Sequence, residues 1–487
     1  MRNFGSFLWL GLVFLIVTLP GCGIPELISK KQEVVLPEQF KDRQNDQANS
    51  APVKWKDFFE DTNLVKLIDI AVVNNKEVNI MLQRISAAEN EIQARRGEYL
   101  PSVKLGASAD GDKVSSASRS GAVEEGLKIK DQAFPALLGD FRLGLFSTWE
   151  IDIWKKLRNA TQVAVFEYMA SIEGKNFLIT NLVAEIAHSY YELITLDNQL
   201  ENLEQNITIQ VNGLEMVKQL QLYGKTSSLA VKRYEAEVAK NQGKKYEITQ
   251  QITIVENRIN TLLGRTPQPI VRASKDFMAI QPKYIQVGIP SQLLQNRPDI
   301  RKAELELSAA QLNIDVARAN FYPSFGIKAG VGFDAFALKY LINTPESLAA
   351  NIAGELVAPI VNKNAIIAEY KNSNAKQIQA VYEYEQSIIN AYTEVSNQLS
   401  SIDNLNKNYD LKKKQVDSLV QSIEVANQLF LSARADYLEV LLTQRDALEA
   451  KKELIETKQK QMRAMVDLYK ALGGGWSSLN DANFNYS

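Results

Sequence analysis

The chain has 487 residues, with 55 basic and 57 acidic side chains and a formal net charge of -2 at pH 7. A nearly neutral chain lacks the basic surface on which nucleic-acid binding depends, so no nucleic-acid partner is expected. One histidine, His188, and one cysteine, Cys22, are too few for a histidine-based triad, a multi-histidine metal site or an internal disulfide. The sequence therefore predicts neither a cofactor nor a bound metal.

The first 21 residues have the pattern of an export signal. Arg2 precedes an apolar run over 7–19, which has the length of a signal sequence and is shorter than the roughly 20 residues of a membrane-spanning helix. The run ends in Leu19-Pro20-Gly21-Cys22, which resembles a bacterial lipobox. We therefore expect residues 1–21 to be removed and Cys22 to become the lipidated first residue. Gly23 follows, rather than the aspartate that typically retains lipoproteins at the inner membrane.

The rest of the chain is a tandem repeat of one unit. Residues 74–107 align with 296–329 at an offset of 222, and residues 263–264 align with 472–473 at an offset of 209. Because the offset shrinks, the first copy holds extra residues around 109–140, a stretch rich in Gly, Ser and charge that is typical of a long loop. The predicted segments are the N-terminal segment 22–73, repeat 1 at 74–264, the linker 265–295, repeat 2 at 296–473 and the tail 474–487.

Each repeat begins with a helical pattern that changes to strict alternation after a proline. Pro298 suits the first turn of a helix over 298–320, and apolar and polar residues alternate from Pro323 onward. Such alternation predicts four strands, each close to the 9–11 residues with which a tilted strand crosses a bilayer. Taken alone, each strand also fits a half-buried sheet in a soluble protein. The strands are expected at about 102–110, 141–151, 324–334 and 348–358. The side chains expected to face lipid are Val103, Leu105, Phe325, Ile327 and Val331.

Helices of unusual length follow each pair of strands. From Val361 to Leu472 there are 112 residues without Gly or Pro. A break is expected at 432–436, where Asp436 can cap a new helix and Glu439 can complete a capping box, and Ser227 is the equivalent cap in repeat 1. Each repeat should then hold one helix of about 70 residues and a second of about 36 that runs back, which is typical of a coiled-coil rod.

The number of strands bears on assembly. Four strands cannot close a barrel, and the open edges of a sheet in lipid leave backbone groups unpaired at a cost of several kcal/mol each. A closed barrel needs about eight strands or more, so at least two copies must pool their strands. The pattern therefore predicts an α+β membrane protein that is an oligomer.

Four motifs resemble those of one known family, the TolC-like outer-membrane factors, in particular the lipoprotein branch that serves resistance–nodulation–division efflux systems. The motifs fall in order across nearly the whole mature chain. They are Trp149-Glu150-Ile151-Asp152, Leu293-Leu294-x-x-Arg297-Pro298-Asp299-Ile300-Arg301-x-Ala303-Glu304, Ala317-Arg318 to Phe321-Tyr322-Pro323-Ser324, and Leu468-Tyr469-Lys470-Ala471-Leu472-Gly473-Gly474-Gly475-Trp476.

This resemblance implies a homotrimer that joins its strands into a twelve-strand barrel in the Gram-negative outer membrane, above a long coiled-coil tunnel in the periplasm. The periplasmic tip would contact an adaptor (membrane fusion) protein coupled to an inner-membrane resistance–nodulation–division pump. Residues 50–70, 265–295 and the C-terminal tail would form a belt around the tunnel. The implied function is the lipid-anchored outer-membrane channel of a tripartite efflux pump, without enzymatic activity.

The resemblance also implies a gate. In the family, the helix that begins at the tip carries acidic residues that ring the closed end of the tunnel. The local match is residues 436–445, in which Glu439 falls on one acidic position and Leu442 stands where a second carboxylate is often found. Glu439 and Leu442 are therefore candidate residues of the periplasmic gate. The alternative is that Glu439 only completes the helix cap and Leu442 packs within the coiled coil.

Other functions fit parts of the sequence. A type I secretion exit duct would have the same fold, and a periplasmic coiled-coil lipoprotein without transport activity would have the same helices. The four alternating segments, which precede the long helices in both repeats, argue against the simple rod. An enzyme is disfavoured because the carboxylates on the helices alternate with Lys and Arg, as on solvated, ion-paired faces.

Overall fold

The computed structural model describes residues 24–40, 48–129, 132–133, 137–360, 363–432 and 434–476. These residues form two compact units. The first, which we call the strand unit, comprises the described parts of Met1–Lys31, Ser86–Met169 and Leu305–Tyr382. The second, which we call the helical unit, comprises those of Gln32–Ile85, Ala170–Glu304 and Glu383–Ser487. Cys22 lies outside the described residues, as do 1–21 and 477–487.

The helices and strands are numbered here in chain order. The helices are α1 Trp55–Phe58, α2 Thr62–Asn74, α3 Lys76–Tyr99, α4 Arg119–Glu124, α5 Lys156–Leu222, α6 Ser228–Leu262, α7 Leu293–Asn296, α8 Pro298–Ala319, α9 Asn364–Leu431 and α10 Tyr437–Ala471. The strands are β1 Ser102–Asp112, β2 Lys128–Ile129, β3 Gln132–Ala133, β4 Leu138–Ile151, β5 Ser324–Ala335 and β6 Leu348–Val357.

None of the helices in the described ranges is both long enough and apolar enough to pass through a membrane.

The main sheet of the strand unit has four antiparallel strands in the order β1-β4-β5-β6. These are the four strands that the alternation predicts, although β1 and β4 extend beyond the expected ends. The predicted long loop between them is not featureless. It contains the short helix α4 and the hairpin of β2 and β3, whose few residues carry too little pattern to be recognised in the sequence.

Two long helical hairpins follow the strands. Helices α5 and α9 have 67 and 68 residues, and α6 and α10 have 35 each, as the sequence predicts. Their turns lie where a break is expected, and Gly224, with φ of +69°, allows the first of them. The tight turns reverse the chain, so the two helices of each hairpin run in opposite directions.

The predicted capping chemistry at these turns is wrong. Ser227 and Asp436 do occupy the N-cap positions, but neither side chain accepts a hydrogen bond from the first helical turn. The backbone carbonyls take this role instead, since Ala230 donates to Ser227 at 3.1 Å and Glu439 donates to Asp436 at 3.1 Å. The Asp436 side chain stays exposed, and Glu439 therefore does not complete a capping box.

The tandem repeat is visible in the contacts that end each hairpin. Asn75 donates from Nδ2 to the carbonyl of Leu262 at 2.9 Å, and Arg297 donates from Nη1 to the carbonyl of Ala471 at 2.9 Å. The two donors are related by the offset of 222 and the two acceptors by the offset of 209. Both copies therefore tie the last turn of their second helix to the segment that precedes their first helix, which satisfies helix-end carbonyls.

Arg297 is a buried cation, and its setting shows how repeat 2 makes this contact. Only 4% of its surface is exposed, and its guanidinium also contacts Asp299 and Glu394 at 2.7 Å each. Burial alone would lower the pKa of Arg297, but the two carboxylates outweigh it and raise the pKa. The positive charge is therefore kept and paired, as a buried ion requires.

Helix α1 and the linker 265–295 pack against the long helices of the helical unit. The ring of Phe58 stacks on Tyr469 with 3.9 Å between centroids. In the linker, Arg272 binds Asp197 at 2.6 Å and Glu256 at 2.5 Å, which joins the linker to α5 and α6. The buried Lys458 donates to the linker carbonyl of Ile280.

We expect Gly264→Ala and Gly473→Ala to destabilise the helical unit. Both glycines have positive φ (66° and 92°), and an added Cβ would lie 2.4 Å and 2.3 Å from the carbonyl oxygens of Asn74 and Asn296. Each change should cost more than about 1 kcal/mol, measured as a lower midpoint of thermal unfolding. Gly243→Ala is the control, because it lies within α6 with open space around it, and it should be neutral or stabilising by about 0.5–1 kcal/mol. Equal midpoints for all three variants would contradict this account of the repeat contact.

Candidate functional site

One face of the four-stranded sheet carries no charged side chain, and all of its members except Ser147 are apolar. Side chains that are directly opposite on paired strands lie on the same face, so the register assigns each residue to one side. Leu145 pairs with both Leu105 and Val331, and Ile327 pairs with Trp149 and Gly354. The members of this apolar face are Val103, Leu105, Ala107, Ala109, Phe141, Leu143, Leu145, Ser147, Trp149, Ile151, Phe325, Ile327, Ala329, Val331, Phe333, Ala335, Leu348, Ala350, Ile352, Gly354 and Leu356.

The five residues that the sequence assigns to lipid, Val103, Leu105, Phe325, Ile327 and Val331, all belong to this face. Several of its members are strongly exposed, including Leu105 at 75% and Ile352 at 80%. A soluble half-buried sheet would cover such side chains with other parts of its own chain. Exposed apolar surface of this extent marks contact with a partner or with membrane.

The opposite face of the sheet is polar and carries ion pairs. Arg142 contacts Asp334 at 3.5 Å across the β4–β5 pair, and Lys328 contacts Glu355 at 2.6 Å across the β5–β6 pair. Ser102 and Thr148 share a hydrogen bond of 2.7 Å. Charges of both signs therefore line a surface that can face water while the apolar face does not.

Phe146 is a large aromatic residue on the polar face, and glycines on the neighbouring strands make room for it. A Cβ added at Gly106 or Gly330 would lie 3.1 Å or 3.2 Å from the Phe146 ring. The ring thus covers backbone that has no side chains of its own, which stabilises glycine-rich strands. A bulky residue opposite two glycines predicts such a contact. The sequence does not show which residues are opposite each other, because that depends on the strand register.

The second candidate site is the tip, which we define as residues 223–227, 432 and 434–436 with the helical residues next to them. The first turns of α6 and α10 pack together there, around a cluster of Val217, Ala230, Val231, Tyr234 and Leu441. Burial, with a smaller contribution from nearby Tyr437, raises the pKa of Tyr234. These side chains hold the start of α10 in place, and none of them is among the predicted site residues.

Glu439 and Leu442 lie on the other side of α10. Val440, Leu441 and Gln444 are buried, whereas Glu439 and Leu442 are exposed. Neighbouring helix positions are about 100° apart, so a helix that buries residue 441 leaves 442 and 439 together on the outer side. Within one chain, Leu441 rather than Leu442 packs in the coiled coil, and the two candidate gate residues face away from the protomer core.

His188 has a structural setting. Its Nε2 lies 2.8 Å from a carboxylate oxygen of Asp467, and both residues belong to the helical unit. Across the described ranges, no group of three or more His, Cys, Asp or Glu residues could hold a metal ion. The histidine therefore joins α5 to α10.

Comparison with known proteins identifies the family. A family model described as outer membrane efflux protein matches residues 67–265 and 289–474. The chain belongs to the outer membrane efflux protein family. The predicted family, the outer-membrane location and the role in efflux are thereby confirmed.

Individual relatives match over almost the whole chain. The solvent efflux pump outer membrane protein SrpC of Pseudomonas putida is 28% identical over 479 residues, which cover 96% of this chain and 98% of the relative. The cation efflux system protein CusC of Escherichia coli (strain K12) is 27% identical over 474 residues, which cover 94% and 97%. The open-state structure of the Neisseria gonorrhoeae MtrE outer membrane channel is 22% identical, has a TM-score of 0.80 and covers 93% of this chain and 98% of that one. The last likeness confirms the predicted fold.

We expect arginine on the apolar face to lower the folding stability. Arginine on the polar face should leave the stability almost unchanged. Val331 is central in β5 and Ile327 is nearer its end, so Val331→Arg should cost about 2–4 kcal/mol and Ile327→Arg less, if the strand crosses a bilayer. Lys328→Arg is the control, because it keeps the charge beside Glu355. The measurement is the free energy of folding into phospholipid vesicles by urea titration. Equal effects at residues 327 and 328 would contradict the assignment of the faces.

Proposed function

We propose that three copies of the chain form one duct through the outer membrane, and that the duct conducts its cargo without catalysing a reaction. The observation that supports this proposal most directly is the four-stranded sheet, which has one face without a charged side chain and two edges without a partner strand among the described residues. β1 and β6 each pair on one side only among the described strands. Edge groups cannot stay unpaired in lipid, so β6 of one copy would pair with β1 of the next. Three copies then supply twelve strands for a closed barrel.

The long helical hairpins support the periplasmic half of the proposal. Two hairpins per chain, each with one helix of 67 or 68 residues, would give the trimer a wall of helices around a tunnel. The tip of this wall would meet an adaptor protein that is coupled to an inner-membrane resistance–nodulation–division pump. The relatives are named for solvents and for cations at nearly the same identity. We therefore assign the choice of cargo to the pump and not to the duct.

Lipid attachment at Cys22 completes the proposed anchoring. The support is the apolar run over 7–19 followed by the lipobox-like Leu19-Pro20-Gly21-Cys22. Two or more acyl chains on one residue are enough for stable attachment, whereas a single chain binds reversibly. The intact mass of the mature protein is the measurement that identifies the modified residue.

The same proposal places the gate at Glu439 and Leu442. Both residues are exposed on the side of α10 that does not pack within the protomer, so three copies can bring them together around one axis. A ring of three Leu442 side chains would close a narrow passage by excluding water, as hydrophobic constrictions do. Three Glu439 carboxylates around the same axis would attract multivalent cations.

The proposed duct predicts the oligomeric state of the protein and its ability to conduct ions. Protein purified in detergent should have three times the mass of the mature chain, and it should form ion-conducting pores in planar lipid bilayers. Size-exclusion chromatography with light scattering and single-channel recording are the measurements. A monomer that leaves bilayers electrically silent would refute the duct and favour the coiled-coil lipoprotein.

Two pairs of variants separate a gate from ordinary packing. Leu442→Ser should raise the closed-state conductance and make cells permeable to large antibiotics, with little change in thermal stability. Leu441→Ser is its matched control, because Leu441 packs in the tip cluster and its loss should mainly lower the melting temperature.

Glu439→Gln should weaken block by multivalent cations. Its control is Glu449→Gln, which removes an exposed carboxylate beside Lys452 further along α10 and should not change the block. If Leu442→Ser and Glu439→Gln conduct like the parent, the gate lies elsewhere.

A further inference from the structure

The base of the sheet carries a cluster of aromatic and basic side chains that the duct itself does not require. We call Tyr99, Trp149, Lys155 and Arg158 the collar. Tyr99 is the last residue of α3 and Trp149 lies near the end of β4. Lys155 immediately precedes α5, and Arg158 lies in the first turn of that helix. All four belong to the strand unit, and all are exposed to solvent in the single chain.

A hydrogen bond joins the Trp149 side chain to the backbone of Tyr99. The indole Nε1 of Trp149 donates to the backbone carbonyl of Tyr99 at 3.1 Å. Trp149 also belongs to the apolar face, where it pairs with Ile327. Its polar edge is therefore satisfied while its ring stays exposed beside apolar side chains. Tryptophan and tyrosine in this arrangement are typical of the interface between the hydrocarbon and the headgroups of a membrane.

Arg158 is held next to these rings with its Nη1 group unused. Its Nε donates to the Asp152 carboxylate at 3.1 Å, and its Nη2 donates to the Asp152 carbonyl at 2.8 Å. The guanidinium carbon lies 5.9 Å from the centre of the Tyr99 ring. Its Nη1 has no acceptor among the residues that the structure describes, and half of the side chain is exposed. This nitrogen can therefore donate to an external oxygen.

Asp152 fixes the position of Arg158. Its side chain is almost completely buried and accepts the backbone N–H groups of Leu157 at 3.1 Å and of Arg158 at 3.0 Å, at the start of α5. Burial alone would raise the pKa of Asp152, but these N–H groups and the guanidinium of Arg158 outweigh it and lower the pKa. Asp152 thus stays ionised and orients the guanidinium, while Lys155 is left as a positive charge without an ion pair among the described residues.

The described start of the chain lies at the same end of the sheet. Ile24 and Leu27 pack against Ala317, Phe321 and Tyr370, and β5 begins three residues after Phe321. The described start of the chain therefore packs against the strand unit at the base of β5. The collar lies at the base of the neighbouring β4, because Ile151 pairs with Phe325.

From these observations we propose that the collar binds the phosphate of an inner-leaflet phospholipid headgroup, and that it prefers anionic phospholipids. Arg158 donates from Nη1 to a phosphate oxygen, Lys155 adds a positive charge, and Tyr99 and Trp149 pack against the upper part of the acyl chains. Arg is suited to phosphate because its planar donors match the oxygens of that group. The inference rests on the proposed insertion of the four strands in the outer membrane.

The test uses the full-length lipoprotein in vesicles of phosphatidylcholine with one fifth phosphatidylglycerol. The protein is extracted with a mild detergent, and the lipid retained on each trimer is counted by mass spectrometry. The parent should retain phosphatidylglycerol over phosphatidylcholine. Lys155→Asn should lower this enrichment about fivefold, since one basic residue near an anionic surface contributes a factor of that size. Asparagine suits this position because residue 155 has φ of +61°.

Two further variants control for charge and for folding. Lys113→Asn removes an exposed lysine just beyond the other end of β1, and it should leave the enrichment unchanged. Arg158→Lys keeps a positive charge beside Asp152 but removes the unused Nη1 donor, and it should lower the enrichment without changing the amount of folded trimer. Equal enrichment in the parent, Lys155→Asn and Arg158→Lys would overturn the proposal.

Single-channel conductance is recorded on the same preparations. The test of lipid binding by the collar can therefore fail without the test of the duct failing. A parent that conducts normally but shows no preference for phosphatidylglycerol would refute the collar and leave the duct intact. A parent that neither inserts nor conducts would refute both. If excess inorganic phosphate displaces the retained phosphatidylglycerol, the collar is a site for free anions and its assignment to lipid is wrong.

Discussion

The pairing of backbone N–H and C=O groups in the sheet is the constraint on which the rest of the molecule depends. Four antiparallel strands satisfy one another in the order β1-β4-β5-β6, but the outer sides of β1 and β6 have no partner strand among the described residues. The same sheet has one face without a charged side chain. Such a face is stable against lipid, where unpaired edges are least tolerable. In the proposed duct, lipid would cover this face, and strands of neighbouring copies would pair the edges.

The repeat shows that one geometric requirement can be met by different side chains. Asn75 and Arg297 contact equivalent carbonyls at 2.9 Å, yet one is a neutral amide and the other a buried cation. Asn75 also accepts the N–H groups of Glu77 and Val78 and so caps α3, whereas Pro298 begins α8 without an N–H to satisfy. Arg297 requires Asp299 and Glu394 to remain charged. The duplicated units have thus diverged in chemistry while keeping the same helix ends.

Helical geometry at the tip separates two neighbouring leucines into different roles. Leu441 packs with Val217 and Tyr234, and this contact holds α10 against α5 and α6. Leu442 is turned by about 100° from it and is exposed, together with Glu439 one turn earlier. The collar shows a similar division, because Asp152 is buried to position Arg158 while Lys155 remains outside. At the tip and at the collar, a buried residue fixes the position of an exposed one. The exposed residue is then available for contact with another copy of the chain or with lipid.

The sequence alone determined the elements with strong periodicity. Alternation after Pro323 and the absence of Gly and Pro over 361–472 predicted the strands and the long helices, because periods of 2 and 3.6 persist over many residues. Only the tertiary structure decided which side chains meet. It put Phe146 over Gly106 and Gly330, selected Leu441 for the tip cluster, and let backbone carbonyls replace the side-chain caps of Ser227 and Asp436. These choices depend on register and on the packing of residues far apart in the chain, which local patterns do not encode.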